Sequence, residues 1–404
     1  MNILVINCGG SSIKCKLLEM PAEKTIAKGG VERIGKQDAI FTFMAAGTEV
    51  RETMAVADHA AGLDTIIQQV LRVFGNGAIG AVGHRAVHGG REVTGAVSVD
   101  ERVKDVLRSY AALAPLHNPP NLKGIEACER LLPGLPQAAV FDTALHTDLP
   151  PHAYTYALPH ALCAKHRIRR YGFHGLAFTY MMQRAAALLD RRVEEMRLVQ
   201  LMLGSGTTAN AYCYGRSIDV STGMTPTEGL VQSTRCGDLD PLVVTFLMRA
   251  EQLSLAQMEK LLCNESGWLG MSGVSNDLRE VEAAAIAGDE RARNAIATFA
   301  YRTKKYIGAY AAAMGGLDAV TIAGGVGEGS AAVRGAILSG LEFLGIELDR
   351  EKNETLRGEG IISTDSSRVK AVLVAADEEM IIARDTWALV TGEVERHGAA
   401  VDSL

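Results

Sequence analysis

The sequence predicts an α/β protein in which one type of domain occurs twice. Apolar, strand-like segments alternate with amphipathic helical segments along the 404 residues. A strand, a tip of small residues and a returning strand occur at the start of the chain and again near residue 200. A chain of this length can bury two substantial cores. Together these observations favour two α/β domains over one.

The first strand and tip lie at the start of the chain, where NILVI (2–6) is followed by NCGGSSIK (7–14). A phosphate-binding P-loop requires G-x-x-x-x-G-K-[ST] before a helix, and here Ile13 rather than Gly precedes Lys14. Residues 13–18 alternate apolar and polar, as a strand does. We therefore predict a β-hairpin with a tip of glycines and serines.

The rest of the first half alternates helices and strands. An apolar stripe predicts a helix over 64–74, and Gly75 ends it. The further predicted elements are a strand at AIGAVGH (78–84), helices over 100–112 and 121–131, and a strand at QAAVF (137–141). The proline-rich HTDLPPH (146–152) then indicates a boundary between the halves.

The second half begins with RLVQLMLGSGTTANAYCYGRSIDV (197–220), which repeats the opening pattern. Small hairpin tips expose backbone N–H groups, so two of them would suit the two sides of a phosphate chain. A third glycine-rich stretch, AGGVGEGS (323–330), follows the strand DAVTI. We predict a loop there that leads into a helix near Ser330 and admits a nucleotide close to the backbone.

Composition excludes several classes of function. The net charge of −6 gives no basic footprint for nucleic acid or for an anionic membrane, and no segment is long and apolar enough to cross a bilayer. The start of the chain lacks the pattern of a signal peptide. Seven cysteines without C-x-x-C spacing argue against a disulfide framework and a zinc site. We expect a cytoplasmic protein.

The candidate chemistry concentrates in turns at the predicted strand ends. Eight of the ten histidines lie between positions 84 and 174. A candidate cleft would be lined by Arg85, His117, Asp142, His174 and Arg235. Two arginines and two histidines suit an anionic acceptor and a phosphoryl group in transfer. Alternatively, each histidine is structural and Arg235 pairs with Asp238 or Asp240.

Three acidic residues, Asp377, Glu378 and Glu379, begin a predicted helix in VLVAADEEMIIARDT (372–386). Carboxylates at a helix N-terminus complement its dipole, which is a purely structural role. A magnesium site requires the same oxygen ligands, usually one or two protein carboxylates. Both interpretations remain open from these residues alone.

Ten motifs, taken in order from residue 3 to about residue 386, resemble the acetate kinase (acetokinase) family. They are INCGGSSIK, GHRAVHGG, APLHNPPN, FDTALH, YGFHG, DVSTGMTPTEG, STRCGDLDP, SGVSNDLR, AGGVGEGS and ADEEMIIARDT. The resemblance implies duplicated actin-like ATPase (ribonuclease H-like) domains with a central cleft, and a homodimer. It implies a first domain over 1–145, completed by the helix at about 378–404, and a second domain over 146–377.

The resemblance also implies a role for each site residue, by motif position. Asp142, His174, Arg235 and His117 would be catalytic, and Arg85 would bind the acceptor carboxylate. The acyl pocket would comprise Val87, Leu116, Phe173 and Pro226. The nucleotide would contact Gly10, Ser11, Ser12, Lys14, Gly204, Ser205, Gly206, Asp277, Leu278, Arg279, Gly325, Val326, Gly327, Glu328 and Gly329. Asn7 and Glu378 would hold Mg²⁺ or Mn²⁺.

The implied reaction is the reversible, magnesium-dependent transfer of the ATP γ-phosphate to acetate, giving acetyl phosphate and ADP. A carboxylic acid is already ionised at pH 7, so Asp142 is interpreted as an orienting group rather than as a base. Propionate as acceptor, a different phosphate donor, and a non-catalytic actin- or Hsp70-like switch are the alternatives. The departures from the family pattern, including Gly10, Ser205 and Gly329, fall mainly on the phosphate-donor side.

Overall fold

A computed structural model describes residues 1–115 and 117–393 of the protein. Contacts divide the chain into two units. Unit 1 comprises Met1–Thr147 and the described residues from Asp377 onward, and unit 2 comprises Asp148–Ala376. Each unit has its own β-sheet and its own hydrophobic core.

The described residues form successive runs of strands and of helices along the chain. The strands are β1 (Asn2–Cys8), β2 (Ser12–Glu19), β3 (Lys24–Glu32), β4 (Ala39–Ala45), β5 (Thr48–Met54), β6 (Ala81–Ala86), β7 (Val97–Ser98), β8 (Gln137–Phe141), β9 (Arg197–Leu203), β10 (Thr207–Cys213), β11 (Arg216–Val220), β12 (Ala319–Ala323), β13 (Gly360–Ile361) and β14 (Lys370–Leu373). The helices are α1 (His59–Phe74), α2 (Glu101–Ser109), α3 (Asn118–Leu131), α4 (Pro151–Tyr154), α5 (His160–His166), α6 (Gly175–Leu189), α7 (Pro241–Ala250), α8 (Leu255–Asn264), α9 (Gly267–Ser272), α10 (Leu278–Ile286), α11 (Glu290–Ala313), α12 (Gly324–Gly329), α13 (Ala331–Leu338), α14 (Arg350–Thr355) and α15 (Glu378–Thr391).

The two sheets share a five-strand core with the same order. The sheet of unit 1 runs β5-β4-β3-β2-β1-β6-β8-β7, and that of unit 2 runs β11-β10-β9-β12-β14-β13. In each, the first strand pairs antiparallel with its hairpin partner and parallel with a later strand. A second parallel strand then extends the core. The predicted duplication is therefore confirmed by the strand order.

Both predicted hairpins are present. In the first, Asn7 pairs with Lys14 and Cys8 with Ile13, and the N–H of Gly9 donates to the carbonyl oxygen of Ser12 across the tip (2.8 Å). In the second, Leu203 pairs with Thr207, which leaves Gly204–Gly206 as the tip. The apolar–polar alternation was sufficient to predict both returning strands.

The ends of the predicted helices shift because of local capping. Helix α1 begins five residues before the predicted 64–74 segment, since the side chain of Asp58 accepts the N–H of Ala61 (2.9 Å). It ends at Gly75 as predicted, where φ is 88°. Helix α3 begins at Asn118 rather than at residue 121, because Pro119 and Pro120 occupy its first turn, where a missing N–H costs no hydrogen bond.

The prediction of a loop over Gly325–Gly329 is wrong, because Gly324–Gly329 forms the short helix α12. Glycine is a poor helix former, so tertiary contacts must supply the stability. The guanidinium of Arg334 donates to the carbonyl oxygens of Gly327 (2.8 Å) and Glu328 (3.0 Å) at the end of the helix. Ser330 then caps the predicted helix α13 by accepting the N–H of Val333 (3.1 Å).

Helix α15 returns the chain to unit 1, where it packs against β1, β6 and β8. The approach is close at Gly83 of β6: an added Cβ would lie 2.5 Å from Oγ1 of Thr386 and 2.8 Å from Cγ2 of Ile382. Only glycine fits there. This packing fixes the start of α15, and therefore Glu378, beside the carboxyl ends of β1 and β6.

Two further observations concern helix length and the cysteines. No helix within residues 1–115 and 117–393 is both long and apolar enough to cross a membrane. All seven cysteines carry free thiols.

Candidate functional site

In unit 1 the sheet brings together four predicted site residues. Asn7 and Arg85 lie near the carboxyl ends of the parallel strands β1 and β6, Asp142 directly follows β8, and Glu378 begins α15. Parallel strands end at the same edge of a sheet, which is the usual place for a ligand site in an α/β fold. We call these four residues the unit 1 cluster.

Arg85 and Asp142 form the central ion pair of this cluster. Nε of Arg85 donates to Oδ1 of Asp142 (3.2 Å), and Nη2 donates to Oδ2 (2.6 Å). The carboxylate is only 1% exposed. Burial disfavours the charge on Arg85, but Asp142 and Glu378 outweigh it and raise the pKa of the guanidinium above its usual range. Two hydrogen bonds from the charged guanidinium therefore fix its orientation against this buried side chain.

The Nη1 side of the same guanidinium makes longer contacts. Nη1 lies 3.4 Å from Oδ1 of Asn7 and 3.8 Å from Oε2 of Glu378. Because Asp142 occupies only the Nε–Nη2 edge, the Nη1–Nη2 edge remains suited to a second carboxylate. The arrangement can hold a small anionic acid next to oxygen ligands for a cation.

The donor set around Arg85 fits a hard divalent cation. Asn7 and Glu378 offer an amide oxygen and a carboxylate, the ligands that Mg²⁺ prefers. Among the described residues, no group of three or more histidine, cysteine, aspartate or glutamate side chains could hold a metal ion. Mg²⁺ commonly uses one or two protein carboxylates, with water and substrate phosphate completing its shell, so the pair fits Mg²⁺ and does not form a protein cage.

Sequence reasoning missed Lys16, which supports the start of α15. Its ammonium lies 2.8 Å from Oδ1 of Asp377 and 3.4 Å from Oε2 of Glu379, the two residues that flank Glu378. Only the strand register, which places Lys16 on β2 beside this helix end, could have indicated the contact. Lys16 neutralises two of the three neighbouring carboxylates.

The predicted acyl-pocket and loop residues of unit 1 lie on well-anchored backbone. Val87 is 5% exposed, and its N–H donates to Oδ1 of Asn121 (3.1 Å). Nδ2 of Asn121 donates in turn to the carbonyl oxygen of Cys8, which ties this segment to the first hairpin (2.9 Å). His117 occupies the N-cap position of α3, where its carbonyl oxygen accepts the N–H of Asn121 (3.0 Å). Leu116 lies outside the described residues.

His59, which sequence reasoning also missed, supports the first hairpin tip. Its Nε2 donates to the carbonyl oxygen of Gly9 (2.7 Å). Gly10 and Ser11 are exposed at the tip, Ser12 is partly buried, and Lys14 is exposed on β2. The tip therefore presents backbone N–H groups on a fixed turn.

In unit 2 the second hairpin tip lies beside His174. This histidine has a left-handed backbone (φ 62°) just before α6, and its Nδ1 shares a hydrogen bond with Oγ1 of Thr208 (2.9 Å). A Cβ added to Gly206 would lie 3.4 Å from Cε1 and 3.7 Å from Nε2 of the ring. The bond to Thr208 fixes the ring, while Nε2 lies next to the tip.

Arg235 lies on a segment that packs against the same tip. Its Nη1 donates to Oε1 of Gln232 (3.1 Å). Desolvation lowers the pKa of the guanidinium, and no carboxylate of the described residues opposes that effect. The predicted alternative of a salt bridge is wrong: Asp238 accepts from Tyr306 (2.6 Å), and Asp240 caps α7. Arg235 is thus a desolvated cation with a neutral neighbour.

Three further unit 2 residues were missed by sequence reasoning: Thr208, Gln232 and Ser233. Oγ of Ser233 shares a hydrogen bond with Oγ of Ser205 (2.9 Å), and its N–H donates to the carbonyl oxygen of Ser205 (3.0 Å). The Ser205 hydroxyl is therefore hydrogen-bonded within the protein. The only sequence signal was that Ser233 begins the STRCGDLDP motif and that Gln232 directly precedes it.

Two predicted acyl-pocket residues also lie in unit 2. Phe173 is 2% exposed, and its N–H donates to Oγ1 of Thr222 (3.0 Å). The carbonyl oxygen of Pro226 accepts from Nε2 of Gln232 (2.6 Å). Phe173 is therefore hydrogen-bonded to a side chain of the DVSTGMTPTEG segment, and Pro226 is itself part of that segment.

The residues predicted to bind adenosine occupy α10 and α12. Asp277 caps α10, and hydrogen bonds from Arg279 lower the pKa of its carboxyl to about 2. Leu278 packs in the hydrophobic core. In α12, a Cβ added to Gly325 or Gly329 would meet nothing within 4 Å. The remaining predicted members of that helix are Val326, Gly327 and Glu328.

The duplicated five-strand core and the paired hairpin tips define an actin-like α/β fold. The sequence profile of the acetokinase family matches residues 2–384. This chain is 48% identical over 403 residues to the acetate kinase of Caldanaerobacter subterraneus subsp. tengcongensis, covering 97% of this chain and all of that protein. The chain belongs to the acetokinase family.

Solved structures with the same fold include two kinases. The crystal structure of Porphyromonas gingivalis acetate kinase is 44% identical, with a TM-score of 0.91 and coverage of 96% of this chain and 99% of that one. A propionate kinase from Francisella tularensis has the same TM-score of 0.91 and the same coverage at 34% identity.

Proposed function

We propose that this protein catalyses the reversible, magnesium-dependent transfer of the terminal phosphate of ATP to acetate, giving acetyl phosphate and ADP. Its similarity to proteins named acetate kinase, at 48% and 44% identity, supports the assignment. The observation that carries it is the different environment of two arginines. Arg85 is fixed by a carboxylate with one edge left for an acid, and Arg235 is a desolvated cation without a carboxylate.

In the proposed reaction an oxygen of the acid attacks the γ-phosphorus. The bond from that phosphorus to the bridging oxygen breaks, and ADP leaves with the electron pair. No proton must be removed, because a carboxylic acid is already ionised at pH 7. Asp142 therefore orients Arg85, which binds the acid, while catalysis depends mainly on alignment and charge stabilisation.

The unit 2 residues act on the transferring group. His174 and Arg235 donate hydrogen bonds to its equatorial oxygens, where charge accumulates in the transition state. His117, a residue of unit 1, is a further proposed contact of this group. The glycine-rich tips, Lys14 and helix α12 contact the nucleotide. Asn7 and Glu378 hold Mg²⁺, or Mn²⁺ in its place, which when bound screens the phosphate charge.

The proposal is tested by incubating purified protein with Mg²⁺, ATP and acetate, and trapping acyl phosphate with hydroxylamine. We expect acetohydroxamate that depends on all three components. Pyrophosphate in place of ATP tests the alternative donor. Absence of hydroxamate with every acid and donor, from protein shown to be folded, would exclude an acyl kinase.

Propionate is the second candidate acceptor, and the similarity to the Francisella propionate kinase favours it. The family resemblance assigns Val87, Phe173 and Pro226 to binding of the acyl group. One methylene in an apolar pocket is worth only about 1–3 kcal/mol, so we expect both acids to react. We expect acetate to have the higher kcat/KM, because a wall as bulky as Val87 leaves less room for the longer acid. A higher kcat/KM for propionate in the same assay would reverse the assignment.

We further propose that the protein forms a homodimer through helix α7. This helix, with the sequence PLVVTFLMRA, is mainly apolar yet has no buried residue: Leu242 is 71% exposed and Phe246 is 63% exposed. A helix that is apolar on several sides normally lies in an interior or an interface. In sedimentation velocity, we expect a dimer that Phe246→Glu weakens. Phe343→Glu, at an exposed site (77%) that is not part of α7, serves as the control.

We propose a cytoplasmic location, because free thiols persist in a reducing compartment. Fractionation of the source cells with an antibody to the protein tests this. Enrichment in an extracellular or membrane fraction would contradict it.

A further inference from the structure

We propose that Gln232 is the positioning residue for Arg235: it fixes the guanidinium relative to the carbonyl of Pro226 while leaving its positive charge uncancelled. This inference rests on the proposed function, because it concerns the cation that would stabilise the transferring phosphoryl group.

The amide of Gln232 is fixed at both ends. Its side chain is buried, with the residue 1% exposed. Oε1 accepts from Nη1 of Arg235 (3.1 Å), and Nε2 donates to the carbonyl oxygen of Pro226 (2.6 Å). A guanidinium has only donors and a carbonyl oxygen only accepts, so one amide orientation satisfies both partners. No rotation of the amide preserves the two bonds.

The backbone of Gln232 is equally constrained. Its N–H donates to the carbonyl oxygen of Arg235 (3.2 Å), which closes a tight turn, and its own carbonyl oxygen accepts the N–H of Trp268 (3.0 Å). At Gly267, where φ is 64°, an added Cβ would lie 2.1 Å from that carbonyl oxygen. The glutamine therefore has a rigid base from which to hold the arginine.

The amide of Gln232 lies next to one of the elements proposed to bind phosphate. Oε1 lies 3.6 Å from the position that a Cβ of Gly206 would occupy, so the amide lies beside the second hairpin tip, as His174 does. Pro226, at its other end, belongs to the proposed acyl pocket. Gln232 thus links the cation, the tip and the pocket wall within unit 2.

A neutral partner has a specific advantage at this position. A carboxylate would orient the guanidinium just as well, as Asp142 does for Arg85, but it would neutralise the charge that a phosphoryl group needs. An apolar side chain would leave the charge but not the orientation. An amide orients the guanidinium of Arg235 and leaves its positive charge in place. Two substitutions of Gln232 test these two properties separately.

The first substitution, Gln232→Met, removes both hydrogen bonds at similar volume. We expect kcat to fall roughly 10- to 100-fold, since small misplacements of a catalytic group have effects of this size. The KM for acetate should change less than about threefold, because Arg85 rather than Arg235 is proposed to bind the acid. Urea unfolding monitors the fold.

The second substitution, Gln232→Glu, preserves shape and adds charge. We expect an equal or larger loss of kcat at pH 8, and a ratio of variant to wild-type kcat that rises as the pH is lowered toward 5. The protonated form of the introduced carboxyl can still accept from Arg235 and donate to Pro226, whereas the ionised form cannot donate. The ratio to wild type removes titrations common to both proteins. Gln252→Glu, at an exposed position, is the matched control.

The outcomes separate this inference from the proposed function. An inactive but folded wild-type protein overturns both. An active wild type with Gln232→Met within about twofold of its kcat overturns the positioning role alone. A pH-independent ratio for Gln232→Glu overturns it as well, and this readout remains available if the methionine variant fails to fold. A higher KM for acetate with an unchanged kcat would assign Gln232 to acid binding instead and refute the inference.

Discussion

Replacing Asp142 by Asn tests whether this carboxylate orients Arg85. The substitution keeps the shape but replaces one oxygen by an NH₂ group, which cannot accept from the guanidinium. The carboxylate now accepts from Nε (3.2 Å) and from Nη2 (2.6 Å) and is almost fully buried. One of these two hydrogen bonds must therefore be lost, and the other is then made to a neutral amide oxygen instead of a carboxylate oxygen.

The magnitude follows from those two bonds. Hydrogen bonds to charged groups contribute about 1.5–3 kcal/mol each, and breaking a buried ion pair costs about 3–5 kcal/mol. If most of this appears as misorientation of Arg85 in the transition state, kcat/KM for acetate should fall roughly 10²- to 10⁴-fold. Glu378, 3.8 Å from Nη1, would then be the nearest remaining carboxylate in the unit 1 cluster.

The assay is acyl hydroxamate formation at several acetate concentrations, with urea unfolding of the same protein. Asp148→Asn, an exposed aspartate six residues further along, is the matched control and should retain full activity. The reasoning is refuted if the folded Asp142→Asn protein keeps kcat/KM within about threefold of wild type. A proton-acceptor role would instead give a loss that depends on the pKa of the acid, which a series of acids would reveal.

Three further substitutions give distinct readouts. Gly206→Ala should change the free energy of unfolding by at most about 1 kcal/mol, since its Cβ would meet His174 only at ordinary contact distances. It should nevertheless lower kcat/KM more than about tenfold, because the added methyl group fills space at the tip. Unchanged kinetics would contradict a role of the tip in substrate binding. Arg334→Met should lower the free energy of unfolding by at least about 2 kcal/mol and raise the KM for ATP, because the carbonyls of Gly327, which is buried, and Glu328 at the end of α12 lose their donor. An unaltered KM for ATP would contradict a role of α12 in nucleotide binding. Burial lowers the pKa of His84 to about 4. Between about pH 4 and 6.5 the folded protein therefore binds fewer protons than the unfolded chain, and protonation favours unfolding. The contribution of His84 to the free energy of unfolding is complete above pH 6.5 and falls by up to about 3 kcal/mol as the pH falls to 4. His84→Gln should weaken that decline in urea titrations, and an identical decline would contradict the assignment.

Much of the fold could be predicted because its signals are local. The alternation of side chains along NILVINCGGSSIK and RLVQLMLGSGTTANAYC specifies strands and tips within a few residues of sequence. Helix ends were less predictable, since Asp58 extends α1 through its side chain and Pro119 begins α3 earlier than the apolar stripe indicates. Helix α12 could not be predicted, because Arg334 stabilises a glycine-rich segment that has little helical propensity of its own.

The sequence by itself determined the duplicated α/β fold, the two hairpin tips, membership of the acetokinase family and the candidate arginines, because these depend on patterns and motifs that can be read along the chain. Only the tertiary structure decided the partner of each arginine. Asp142 is distant from Arg85 in sequence yet binds it, while Asp238, three residues from Arg235, turns to Tyr306 and leaves the guanidinium to Gln232. The direction of the backbone and the burial of each side chain set these pairings, and sequence separation does not report either.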